Sequence, residues 1–152
     1  ARARTPAERY TEVWDGVVVI PAMPDNEHQR LVMRLIVAFA SVVERDAGDS
    51  VQPGANVSDR EDDWKENYRC PDVVVTLAGG RAKDCGAHWC GGPDFVVEIE
   101  SAGQDARDKL DFYAAVCCRE VLLIDREPWA LELHRLDGSG YALVGRVAAA
   151  SD

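Results

Sequence analysis

Asp94-Phe95-Val96-Val97-Glu98-Ile99-Glu100-Ser101 reads as a β-strand with a carboxylate set in its apolar middle. Alternate residues of a strand share a face, so Phe95, Val97 and Ile99 point one way and Val96, Glu98 and Glu100 the other. Two carboxylates on one face then stand roughly 7 Å apart by the strand repeat. Burying an acid without a partner costs several kcal/mol, so Glu98 requires a cation, a Lys or an Arg beside it. Glu100, at the strand end, has the simpler alternative of a solvated charge.

Upstream, Asp72 to Leu77 is a second apolar strand, entered from Pro71. If it pairs antiparallel with 94–100 across the glycine-rich stretch between them, Asp72 comes close to Glu98 and Glu100. Three carboxylates at one sheet end suit Mg²⁺ or Mn²⁺, which take oxygen ligands. Downstream, Gly103 to about Cys117 returns to helical spacing, with Leu110, Tyr113, Ala114 and Cys117 on one face. The first turn of that helix returns over the strand's C-terminal end. Lys109 is thereby placed to orient a water nucleophile or to stabilise charge developing on a phosphate. The plainer readings are a strand-entry turn residue for Asp72 and a solvated helix face for Lys109. Glu98 resists a plain reading best, and the combination outweighs any member.

The remaining segments complete an α/β pattern. Tyr10–Trp14 and Val17–Ile20 flank Asp15-Gly16, a strong hairpin signal. Asn26 to about Asp46 carries Leu31, Val32, Leu35, Ile36, Phe39 and Val43 at helical steps, with Asp25 or Asn26 as N-cap and Gly48 as stop. Ser50 to Val57 is expected to be a strand and Ser58 to Arg69, with five acidic residues, an exposed loop. Glu120–Asp125, Ala130–Leu136 and Tyr141–Val147 are three closing strands. The order β-β-α-β-β-β-α-β-β-β predicts a mixed sheet flanked by helices, in one domain over 1–152 with its core at 8–147. Residues 78–93, with five glycines, are expected as a loop insertion.

Seventeen Lys and Arg stand against 27 Asp and Glu, a formal charge of −10. Such a chain does not coat nucleic acid through bulk charge, though a metal-dependent nuclease remains open. A basic rim would have to come from scattered Arg30, Arg34, Lys65, Arg69 and Arg107. No run approaches the roughly 18 apolar residues that cross a bilayer, and the first residues lack a signal peptide's apolar core. Five cysteines, an odd count, favour reduced thiols and a cytoplasmic location. Cys85, His88 and Cys90 offer soft ligands for a structural Zn²⁺, but their spacing matches no paired Cys-x₂-Cys arrangement, and a flexible insertion is the expectation.

Four segments, in this order, resemble the Uma family of restriction-endonuclease-like bacterial proteins, within the PD-(D/E)xK nuclease superfamily. They are Glu12-Val-Trp-Asp-Gly-Val-Val-Val-Ile-Pro with His28 beyond it, Arg69-Cys-Pro-Asp-Val-Val-Val, Phe95-Val-Val-Glu-Ile-Glu-Ser, and Asp108-Lys-Leu-Asp-Phe-Tyr followed by Glu120-Val-Leu-Leu-Ile-Asp. The resemblance implies a restriction-endonuclease-like α/β core and a Mg²⁺- or Mn²⁺-dependent endonuclease acting on nucleic acid, DNA foremost. It implies Asp72 and Glu98 as metal ligands, the Ile99 carbonyl as a third, and a Lys that assists the attacking water. Many superfamily members hold that Lys two residues after the Glu, where this chain has Glu100; Lys109 takes its place, and Glu100 is an auxiliary ligand or a mark of lost catalysis. Glu12 and His28 are candidates for the pocket edge, with a surface or satisfied structural histidine as the plainer reading of His28. A homodimer suits an enzyme that cuts two strands, and a catalytically silent interaction module is the rival reading.

Overall fold

The computed structural model describes residues 10–43, 46–101 and 103–150. Twelve strands and two α-helices follow one another as β1 Glu12–Trp14, β2 Val17–Val19, α1 Asn26–Val43, β3 Ser50–Pro53, β4 Val57–Ser58, β5 Tyr68–Arg69, β6 Val73–Thr76, β7 Lys83–Asp84, β8 Trp89–Cys90, β9 Phe95–Ile99, α2 Leu110–Ala115, β10 Glu120–Arg126, β11 Trp129–Asp137 and β12 Gly140–Ala148. Single 3₁₀ turns occupy Trp64–Glu66 and Ala106–Lys109.

The main sheet runs β12-β11-β10-β9-β6-β3. β9 and β10 are parallel and joined through α2, while its other pairs are antiparallel. Its central strands are nearly continuous Val, Leu and Ile because both faces are covered. On one face α1 lays Leu31, Val32, Leu35, Ile36 and Phe39 against Val73, Val75, Val97 and Ile99. On the other, Phe112 and Tyr113 of α2 and Val57 of β4 pack with Val74, Val96, Val121 and Leu123. The alternation read in 94–101 therefore sorts Val97 and Ile99 toward α1 and Val96 toward α2.

A second sheet, β2-β1-β5-β4-β8-β7, is built largely from two- and three-residue strands. The β1–β2 hairpin turns at Asp15 (φ 47°) and Gly16 (φ 82°), both in the left-handed region that a two-residue I′ turn requires. The Asp25 carboxylate accepts the His28 amide at 2.8 Å and caps α1, which fixes His28 in the first turn.

Four expectations are corrected. Residues 50–57 are two strands in different sheets, because Gly54 (φ 54°) breaks the run. The 58–69 segment is exposed only in its acidic middle; Ser58, Asn67 and Arg69 at its ends are buried in the second sheet. Segment 78–93 is no simple loop, since β8 pairs in parallel with β4 and joins it to that sheet. The 103–117 helix is a 3₁₀ turn followed by six α-helical residues, and Cys117 ends it in the left-handed region at φ 62°.

Gly92 passes so close to the end of α2 that a Cβ there would lie 2.2 Å from the Cys118 amide nitrogen and 2.3 Å from the Cys117 carbonyl carbon. Backbone cannot yield as a side chain can. Gly92→Ala is expected to cost about 1–3 kcal/mol and to lower the melting midpoint by roughly 5 °C. An unchanged thermal melt would show that the two segments are not in contact.

Candidate active site

Glu98 lies near the end of β9 on the α2 side, 3% exposed. Lys109 and Tyr113, one helical turn apart, descend onto it from the crossover between β9 and β10. The Lys109 ammonium donates to Glu98 Oε2 at 3.0 Å and to Glu12 Oε1 at 2.8 Å. The Tyr113 hydroxyl donates to Glu98 Oε1. Glu12, contributed by β1, also accepts the Cys70 amide (2.8 Å) on Oε1 and the Trp14 indole N–H (2.8 Å) on Oε2.

The antiparallel register Val73 with Val97 brings Asp72 to the same end of the sheet. Its Oδ2 accepts the Ile99 amide at 2.7 Å, and its Oδ1 lies 3.0 Å from His28 Nε2. Ile99 lines the same cavity as Asp72, and its carbonyl is the backbone acceptor the residue can offer there. Glu12, His28, Cys70, Asp72, Glu98, Ile99 and Lys109 line one cavity of about 50 Å³, enough for a few water-sized groups. Asp72 is its most open acid, with the side chain 21% exposed.

Burial pushes the Glu98 pKa up from 4.5 to about 8, helped by the Asp72 and Glu12 charges and opposed by Lys109 and Tyr113. Burial disfavours the Lys109 ammonium, but the two carboxylates outweigh it and its pKa is raised. The Cys70 thiol is pushed up to about 12 by burial and the surrounding carboxylates, so it remains neutral and a poor metal ligand.

Glu12, Asp72 and Glu98 stand around one ammonium, and loss of the Glu98 proton above about pH 8 adds a negative charge to the cavity. Among the described residues, no three His, Cys, Asp or Glu side chains form a group that could hold a metal ion. The cavity instead offers two carboxylates and a backbone carbonyl. That set fits Mg²⁺, which is held by one or two carboxylates and keeps several waters, and does not fit Zn²⁺.

Asp72, Glu98, Ile99 and Lys109 are thus brought together, while Glu100 is not. Its Oε2 accepts the Ala106 amide at 3.1 Å, and its side chain faces a separate cavity with Asp25, Glu27, Asp125 and Arg126. Lys109 is buried rather than a solvated helix residue. Cys85 and Cys90 do not converge with His88 on a metal site: the His88 ring stacks on Trp64 at 4.8 Å and its Nε2 faces the Arg60 carbonyl at 2.9 Å. Of the expected basic rim, Arg30, Arg34 and Lys65 are exposed, Arg69 is buried between the Trp14 and Phe112 rings, and Arg107 is tied to Asp125 and Glu132. Tyr113 is the site residue that sequence reading placed only on one helix face and in the family-like segment 108–113. Its spacing of four from Lys109 was the available signal.

A solved structure described as a "putative nuclease belonging to DUF820 from Anabaena variabilis ATCC 29413" superposes with a TM-score of 0.68 at 15% identity, over 88% of this chain and 75% of that one. At that identity the likeness establishes the fold alone, a mixed α/β core. No curated protein matches the chain. The Uma2 family, described as "Putative restriction endonuclease", matches over residues 2–149. With nearly all of its length matched, the chain belongs to the Uma2 family.

Proposed function

We propose that the protein is a Mg²⁺- or Mn²⁺-dependent nuclease that hydrolyses phosphodiester bonds of nucleic acid, DNA foremost. The observation that carries this reading is Asp72 and Glu98 facing one cavity with the Lys109 ammonium 3.0 Å from Glu98. Asp72, Glu98 and the Ile99 carbonyl would hold the ion. A bound divalent cation supplies Lewis acidity and a water of lowered pKa. Lys109 would orient an attacking water and offset charge on the phosphate, and the Tyr113 hydroxyl holds Glu98 Oε1. The proposal includes a cytoplasmic location, on the strength of five unpaired thiols, and a homodimer. Among the described residues, no helix is long and apolar enough to cross a membrane.

Labelled single- and double-stranded DNA and RNA, incubated with Mn²⁺ and with EDTA, test the reading. Cleavage that needs the metal and is lost in Asp72→Asn supports it; intact substrates throughout contradict it. The pH dependence of ion binding is a separate test. Glu98 holds its proton up to about pH 8, and the ion must displace it. Mn²⁺ affinity should therefore rise with pH, by up to about tenfold per unit for one proton, and level off above that value. A flat profile between about pH 6 and 9 would remove Glu98 from the ligand set.

One observation favours the second reading, an interaction module without catalysis. Trp129, Leu131 and Val147 of the β11–β12 hairpin lie exposed, and Leu131 and Val147 are cross-strand partners on one face. Apolar surface of this kind marks contact sites.

A further inference from the structure

We infer that Glu12 is a positioning residue that anchors Lys109 independently of Glu98, so that the ammonium and a divalent cation can share that carboxylate; this rests on the nuclease reading above. Lys109 has three N–H donors, and the structure assigns one to Glu12 and one to Glu98. The two acceptors differ in how free they are. Glu12 is fixed from three sides: Oε1 also takes the Cys70 amide, Oε2 takes the Trp14 indole, and β1 is paired to both β2 and β5. It is 2% exposed and cannot follow the ammonium elsewhere.

Glu98 is contested. Tyr113 holds one oxygen, Lys109 the other, and the Asp72 side of the cavity is where a cation would reach it. A divalent ion held by Glu98 would repel the ammonium beside it. With Glu98 as its sole anion, Lys109 would either block the ion or be left as a buried unpaired charge, which is strongly destabilising. Glu12 removes that conflict by giving Lys109 a second anion, one held in place by the Cys70 amide and the Trp14 indole. It acts through Lys109 and not on the phosphate.

Mn²⁺ affinity measured by calorimetry across wild type, Glu12→Gln, Lys109→Met and the double variant separates this role from others. Glu12→Gln should weaken Mn²⁺ by about tenfold, as outer residues of metal sites do. The same change made in the Lys109→Met background should alter affinity by less than about twofold. Equal losses in both backgrounds would overturn the inference, showing that Glu12 meets the ion directly or by charge alone. No Mn²⁺ binding in folded wild type would overturn it together with the nuclease reading. Should a variant fail to fold, nuclear magnetic resonance of the Lys109 ammonium in wild type decides. Added Mg²⁺ should weaken its coupling to the Glu98 carboxyl and preserve that to Glu12; loss of both, or of the Glu12 coupling alone, would be contrary.

Discussion

Glu98→Gln is expected to leave the protein folded and to weaken Mn²⁺ binding by more than about 100-fold. Loss of residues that merely support a ligand costs about 10- to 100-fold, so removal of the ligand itself exceeds that range. Metal-dependent cleavage should vanish with it. The fold survives because the amide keeps the volume of the acid and Lys109 retains Glu12. The variant should also change how stability depends on pH. Glu98 titrates near 8 when folded against an ordinary 4.5, so the folded state holds more protons between those values and wild-type stability falls as pH rises through them. Glu98→Gln lacks that decline. Mn²⁺ affinity within tenfold of wild type, or an unchanged pH slope in denaturant unfolding, would contradict the assignment.

Tyr113→Ala should be among the most destabilising single changes, at about 3–5 kcal/mol, because the ring is wholly buried in the core between the main sheet and α2. The melting midpoint should fall by roughly 10 °C or more. Tyr113→Phe isolates the hydroxyl. The ring keeps its edge-to-face contact with Phe112, but Glu98 Oε1 loses its donor, at about 1–3 kcal/mol. The Tyr113 hydrogen bond is one of the influences holding the Glu98 pKa down. Its loss moves Glu98 protonation higher, so Mn²⁺ binding in Tyr113→Phe should need a higher pH than in wild type. A Phe variant matching wild type in both melt and Mn²⁺ titration would leave the hydroxyl without a role.

What could be read from the sequence followed periodicity. The alternation in 94–101 separates Glu98 from Val97 and Ile99, and the structure sorts those residues to opposite faces of β9. Asp15-Gly16 marked the hairpin, and helical steps located α1 within a few residues. The antiparallel pairing of β6 with β9 was assumed, and the structure has it. The second sheet stayed hidden because two-residue strands such as β4, β5, β7 and β8 have no period to detect. Arg69 read as the end of an exposed loop and part of a basic rim, yet two aromatic rings 55 and 43 residues away bury it. Glu12 was legible only as a pocket-edge residue, since its partner Lys109 is 97 positions distant and no local spacing encodes that contact. Glu100 shares a strand segment with Glu98, but the chain leaves the sheet there and turns its carboxylate onto the Ala106 amide.

The most direct test of the two-carboxylate site is an anomalous-scattering map from a crystal of wild type soaked in Mn²⁺. The expected result is one peak within about 2.3 Å of an Asp72 oxygen, a Glu98 oxygen and the Ile99 carbonyl, with Lys109 still on Glu12. A peak elsewhere, or none at saturating Mn²⁺, would contradict the assignment of these residues as a metal site.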